Sequence, residues 1–168
     1  GGTGFIGRQL VVRHLARGDE VRVLSRHTAD ESGLPESVKW YCGDLCRQQD
    51  LLPFVDQADV LYHCAGELGD TVRMEALHVE GTRRLIAAAT GKIGRWVQLS
   101  SVGVYGKPRY GVVTEQSMLC PEGVYEATKK RSDDLVRHAG MGGAFEWAIL
   151  RPSIVFGEGM PNQSLFQM

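Results

Sequence analysis

A glycine-rich turn, GGTGFIG, opens the chain, with Gly1, Gly4 and Gly7 at three-residue steps and a helical pattern directly behind them. Ile6, Leu10, Val11, His14 and Leu15 recur at spacings of three and four, one face of a helix running to about Arg17. Such a turn lets backbone amides approach a pyrophosphate, and the helix N-terminus favours the anion. Glycine triplets also occur in tight turns that bind nothing, so the rest of the chain must decide.

After that helix come EVRVLS (20–25) and VKWYC (38–42), two short strands, then a short helical stretch over 47–57 and a third strand, DVLYHCA (59–65). Residues 72–90 read as the longest helical stretch, with Met74, Leu77, Gly81, Leu85 and Ala88 on one face. RWVQLSS (95–101), a loop, a helix over 122–139 and FEWAIL (145–150) complete the pattern. Strands that alternate with helices and lack period-two polarity predict a parallel sheet covered on both faces, doubly wound by right-handed crossovers.

Composition narrows the function classes. Glycine is 21 of 168 residues, above the usual ~7%, with no collagen-like period, so the excess belongs at turns and close backbone approaches. Nineteen Lys and Arg against 20 Asp and Glu leave a net charge of −1, no electrostatic footprint for nucleic acid or an anionic membrane. No apolar run approaches the ~18 residues of a membrane span. Cys42, Cys46, Cys64 and Cys120 lack a zinc-site spacing, and three lie in or beside apolar runs. They read as small buried hydrophobes of a free-thiol, cytoplasmic protein. His14, His27 and His138 have no metal-ligand partners at useful spacing, and Asp133-Asp134 and Arg83-Arg84 read as solvated helix faces.

GGTGFIG, GDL (43–45), HCAG (63–66), VEGT (79–82), SSVGVYG (100–106), YEATK (125–129) and LRPSIVFG (150–157) stand in that order along the whole chain. Together they resemble the extended short-chain dehydrogenase/reductase family, the NAD(P)-dependent epimerase/dehydratase type, which implies a Rossmann-type doubly wound sheet. The resemblance assigns Gly4, Phe5, Ile6 and Gly7 to the pyrophosphate, with Gly1 in the same cofactor-binding turn, Asp44 and Leu45 to the adenine, and Ala65 and Gly66 to the cofactor ribose. Pro152 to Val155 would line the nicotinamide side. It also implies that residues 1–157 are the dinucleotide domain without its first strand. Residues 158–168 would then begin a truncated substrate region, making the chain an internal fragment inactive by itself.

Two positions depart from the family pattern. Where NAD-preferring members carry an acidic residue for the ribose 2′-OH, this chain has Ser25-Arg26. A guanidinium holds a 2′-phosphate bidentately, so the expectation is NADP over NAD; the alternative is a solvent-exposed Arg26. His78 replaces the usual Asn before V-x-G-T, either as a cofactor-side contact or as a helix-packing histidine.

Tyr125 and Lys129 are four residues apart on a predicted helix, so both face one way. A neighbouring ammonium lowers a phenol from its usual pKa near 10, which suits Tyr125 to general acid–base work during hydride transfer. By resemblance Lys129 also holds the nicotinamide ribose. Ser101, at a strand's C-terminal end and aligned by the VYG that follows, would orient the reacting oxygen. The expected function is an NAD(P)-dependent epimerase, dehydratase or reductase acting on a nucleotide-activated sugar. The alternatives are a hydroxysteroid-dehydrogenase-like or ketone reductase, and a non-catalytic cofactor-binding regulator or accessory subunit. A homodimer through helices 72–90 and 122–139 is the expected partner arrangement. The small residues Gly81, Ala87, Ala88 and Ala89 fit that dimer and fit core packing equally well.

Overall fold

A computed structural model describes residues 1–107, 111–157 and 159–160. Of the segment 158–168 expected to begin a substrate region, all but Gly159 and Met160 lies outside the described residues. The fold is a Rossmann-like α/β arrangement in which all strand pairs among the described residues are parallel, divided into two compact units: Gly1–Gly43 with the segment from Ile154, and Asp44–Ser153.

The first unit holds α1 (Phe5–Ala16), β1 (Arg22–Ser25) and β2 (Lys39–Cys42). Just past the end of α1, Gly18 has a φ of +84°, open to glycine and strained for other residues, while the Asp19 amide returns to the His14 carbonyl. β1 and β2 pair in parallel with Val23 opposite Trp40, and Val23 is buried.

The second unit holds α2 (Leu52–Val55), β3 (Ala58–His63), α3 (Thr71–Met74), a π-helical segment (Glu75–Gly81), α4 (Thr82–Ala89), β4 (Ile93–Leu99), α5 (Val124–Met141) and β5 (Glu146–Leu150). α2 is shorter than the sequence pattern because Pro53 has no amide to donate and fits only a first turn. β3, β4 and β5 pair in that order, with Leu61 opposite Trp96 and Trp96 opposite Trp147.

Trp96, fully buried, stacks on Phe145 at 5.3 Å between ring centres, and Leu61, Leu85, Ala89 and Val136 close the core. Full burial of such a side chain stabilises by roughly 1.5–3 kcal/mol. A buried polar chain threads the same core. Trp96 Nε1 donates to Gln98 Oε1, Gln98 Nε2 donates to Ser132 Oγ, and Ser132, Thr82 and His63 follow at 3.0 and 2.9 Å. Every one of these groups is partnered, which removes the penalty for burying it.

The expected single helix over 72–90 is in fact α3, the π-helical segment and α4 in succession. The wider π turn shifts the buried face: Leu77 is half-buried, while His78, Val79, Gly81 and Thr82 face inward. Gly81 lies against Leu45 and Ala89 is fully buried, so core packing accounts for these two small residues. The cysteines also differ from expectation. Cys42 and Cys120 are exposed, and Cys46 and Cys64 are half-buried, because Cys42 ends an outer strand and Cys120 lies in a loop.

Candidate functional site

In the first unit the glycine turn is built from backbone alone. A Cβ on Gly7 would fall 2.1 Å from the Gly1 carbonyl oxygen, and one on Gly2 would fall 2.9 Å from Val23 Cγ2. Gly7 is buried and Gly4 exposed; Phe5 and Ile6 are half-buried. Gly4 caps α1 without a side-chain acceptor, and the first helical turn carries no acidic residue, so nothing competes for its amides. These features fit the pyrophosphate of a dinucleotide.

At the end of β1, Ser25 is buried and its Oγ accepts from the His27 amide at 3.1 Å. That hydroxyl serves its own turn. Arg26 is exposed and makes no hydrogen bond or ion pair among the described residues. Val155 is exposed in the same unit.

In the second unit the end of β4 is fastened to α5. Ser101 caps a short 3-10 turn (Val102–Tyr105), its Oγ accepting from the Gly103 amide at 3.1 Å. The turn packs so closely on α5 that a Cβ on Gly103 would meet Glu126 Cγ at 2.9 Å. Lys129, buried, donates from Nζ to the Leu99 carbonyl two residues before Ser101. The Pro152 carbonyl accepts from the Val102 amide at 3.0 Å, which brings the end of β5 beside the same turn.

Tyr125 is half-buried on the helix that carries Lys129. Burial first, and the adjacent Glu126 carboxylate second, push its phenol above the usual value, opposite to the lowering expected from Lys129. Lys129 is engaged with Leu99, and burial draws its ammonium below the ordinary lysine value while Asp133 and Cys64 act the other way.

The loop after β3 is held by His78. Its Nε2 accepts from the Glu67 amide at 2.9 Å, so its proton sits on Nδ1, which faces Thr128 Oγ1 at 2.8 Å. Thr128 Oγ1 donates in turn to the Tyr125 carbonyl, and the His78 ring meets the Tyr125 ring edge-on at 5.6 Å. Burial, then the Lys129 charge, depresses His78 to about 4, which keeps it neutral. Both ring nitrogens are committed to protein groups. Ala65 is half-buried and Gly66 exposed on this loop. Asp44 ties its own turn through Oδ1 to the Cys46 amide at 2.9 Å; Leu45 is buried and its carbonyl accepts from Arg84 at 2.9 Å. Arg84, expected to face solvent, is therefore partly buried, because its reach brings the guanidinium to the Leu45 carbonyl.

Asp133 is the larger correction. Expected on a solvated face, it is 1% exposed. Its Oδ2 accepts from Ser100 Oγ at 2.8 Å and from Arg151 Nε at 3.1 Å. Arg151 also donates from Nη1 to the Tyr105 hydroxyl at 3.0 Å and lies over that ring at 5.2 Å. A signal for Asp133 existed: Tyr125, Lys129 and Asp133 stand at four-residue steps on one helix face.

No helix among the described residues is long and apolar enough to cross a membrane. The sequence profile of the NAD dependent epimerase/dehydratase family matches residues 1–168. A dTDP-6-deoxy-L-talose 4-dehydrogenase (NAD(P)(+)) of Kitasatospora kifunensis is 32% identical, covering 98% of this chain and 54% of its own. Sterol demethylase protein B of Methylococcus capsulatus is 31% identical, covering 94% of this chain and 50% of its own. Among solved structures, MoeE5 in complex with UDP-glucuronic acid and NAD superposes with a TM-score of 0.85 at 26% identity, covering 99% of this chain and 57% of its own. The chain spans about half the length of the curated relatives it matches.

Proposed function

The chain belongs to the NAD-dependent epimerase/dehydratase family, and on that premise we propose that the protein works on a nucleotide-activated sugar as an epimerase, dehydratase or reductase. The observation that carries the reading is the fastening of the Ser101 turn to α5, through Lys129 on the Leu99 carbonyl and the close approach of Gly103 to Glu126. It sets a hydroxyl, a phenol and an ammonium on neighbouring elements. NAD(P), when bound, supplies a hydride acceptor or donor to the sugar carbon.

The protein's own groups do the rest. Ser101 Oγ hydrogen-bonds the reacting oxygen of the sugar and orients it. Tyr125, protonated at neutral pH because its phenol is pushed up, donates to a carbonyl oxygen in the reducing direction and takes that proton back in the oxidising one. Lys129 holds the nicotinamide ribose and supplies positive charge to the forming phenolate. Gly4, Phe5, Ile6 and Gly7 present amides to the pyrophosphate, with Gly1 completing the turn. Asp44 and Leu45 border the adenine; Ala65, Gly66, Pro152 and Val155 border the ribose and nicotinamide. His78, with both nitrogens engaged, acts on the cofactor side by holding the Glu67 amide. Arg26, exposed and unpartnered among the described residues, is positioned by sequence for a 2′-phosphate, so NADP(H) is the preferred form.

A sterol or ketone substrate is the second reading, favoured by the comparable identity to the sterol demethylase protein. Incubating the protein with NAD(P)+ or NAD(P)H and a panel of nucleotide sugars, sterols and ketones, with products identified by mass spectrometry and NMR, separates the two. Product analysis is needed because an epimerase regenerates its cofactor and leaves absorbance unchanged. Conversion of a nucleotide sugar supports the leading reading; conversion of sterols or ketones alone replaces it. Dinucleotide binding without any turnover points to the regulator.

A further inference from the structure

We propose that Asp133 is a positioning residue for the reaction: paired with Arg151, its carboxylate sets the charge state of Lys129 and the placement of the strand end that carries Ser101. This rests on the reading that Tyr125 and Lys129 carry the proton chemistry, and extends their helix face by one step, to i+8 from Tyr125.

Burial makes the case first. Lys129 and Asp133 are 4% and 1% exposed, one helical turn apart on α5. An isolated charge at such a depth costs several kcal/mol, so each needs an opposite charge or strong hydrogen bonds. Asp133 Oδ2 has both, from Ser100 Oγ and Arg151 Nε. Its Oδ1 is sealed from solvent with no hydrogen-bond partner among the described residues. A carboxylate selected only to neutralise Arg151 would be expected to use both oxygens in a fork, the stronger geometry. The other cation close enough to act on it is Lys129.

Position makes it second. Each atom that Asp133 binds belongs to a segment bordering the Ser101 turn. Ser100 immediately precedes Ser101, and Arg151 precedes Pro152, whose carbonyl holds the Val102 amide. Through Tyr105, Arg151 closes the far end of the turn that Ser101 caps. One carboxylate therefore joins α5, the end of β4 and the end of β5.

The groups around Lys129 fix the sign of its effect. From β3 and its end come His63 and Cys64; from the π-helical segment, His78; from α5, Tyr125 and Asp133; from the end of β5, Arg151. His63 and His78 are held neutral, the Cys64 thiol is pushed up by burial, and the Tyr125 phenol is protonated. Burial pushes the Asp133 carboxyl up while Ser100, Arg151 and Lys129 hold it down, and as a carboxylate it favours the Lys129 ammonium.

The test is an NMR titration of the Lys129 side chain in the full chain labelled at lysine Cε, the resonance assigned by its loss in Lys129→Met. In Asp133→Asn the Lys129 pKa is expected to fall by about one unit, a tenfold loss of proton affinity. In Ser100→Ala, which removes a hydrogen bond and keeps the charge, it stays within a few tenths of a unit. No shift in Asp133→Asn overturns the proposal, and so does an equal fall in Ser100→Ala, which would mark a packing effect. Should Asp133→Asn fail to fold, Asp133→Ser is read in its place, and an unmoved Lys129 pKa there overturns the proposal. On the panel substrate that turns over, the alkaline limb of kcat should move down with the Lys129 titration in Asp133→Asn. Full activity of Tyr125→Phe would reject the underlying reading, while the titration would still judge the link between Asp133 and Lys129.

Discussion

The glycine turn and the β4–α5 constellation are built by opposite means. The turn is made by leaving side chains out: Gly7 sits so close to the Gly1 carbonyl that no Cβ fits. The constellation is made by filling the interior with polar side chains, Asp133, Ser100, Arg151, Lys129, His78 and Thr128, each bonded to another segment. A backbone-built site is specified by one local constraint and fails all at once when that constraint is broken. A site built from side chains is specified by many long-range contacts and fails by degrees.

Turnover and binding should therefore separate. Tyr125→Phe removes the proton donor while leaving the ring, and turnover should fall about 10²–10⁴-fold with dinucleotide affinity within about threefold. Steady-state kinetics beside calorimetric binding of NADPH checks both halves, and a parallel loss of affinity would undo the separation. Gly7→Ala should do the reverse. Its Cβ cannot be placed without opening the turn, so dinucleotide affinity should drop about 100-fold, roughly 3 kcal/mol. Binding that survives within threefold would show that the turn is not the pyrophosphate cradle.

His78 tests the gradual kind of failure. Replacing it with Ala removes the hydrogen bonds from the Glu67 amide and to the Thr128 hydroxyl and opens a cavity, a loss of about 2–4 kcal/mol by chemical denaturation. His78 also gives a pH signature. Its folded pKa, about 4, lies below the unfolded value near 6.5, so the unfolded chain binds the extra proton in that window. The stability tied to neutral His78 is present above pH 6.5 and is lost as pH falls toward 4. Burial depresses His63 in the same direction, so the difference between the parent and His78→Asn isolates the one residue. The parent's stability should fall more steeply with acid than the variant's, by up to about 1.4 kcal/mol per pH unit. Identical slopes would remove His78 from this role.

Arg26 carries the smallest expected effect. Arg26→Ala should weaken NADPH about tenfold, near 1.4 kcal/mol, and leave NADH unchanged. Equal effects on the two cofactors would return Arg26 to an ordinary exposed side chain.

The readable residues were those whose constraint is local. Glycine at 7 follows from backbone crowding that no tertiary contact can relieve. Tyr125 and Lys129 follow from a four-residue step on one helix, and Ser101 from a strand end. Asp133 was hidden because Asp133-Asp134 looks like an ordinary pair on a charged helix. Only Asp134 keeps that character, exchanging ion pairs with Lys130 and Arg137. The inward placement of His78 came from the π-helical segment. A period of 3.6 puts Leu77 on the buried face, and one wide turn gives that place to His78.

Alone, the sequence determined the α/β class, the parallel pairing implied by strands without alternating polarity, the glycine turn and the order of the motifs. Those follow from short-range sterics and periodicity, which each segment carries within itself. Tertiary structure decided which polar side chains became buried, which nitrogen of His78 holds its proton, and that Asp133 meets Ser100 and Arg151. Each of those outcomes depends on partners between 11 and 50 residues away. Burial turns such contacts from optional to obligatory, because a polar group sealed from water must find its partner inside the protein.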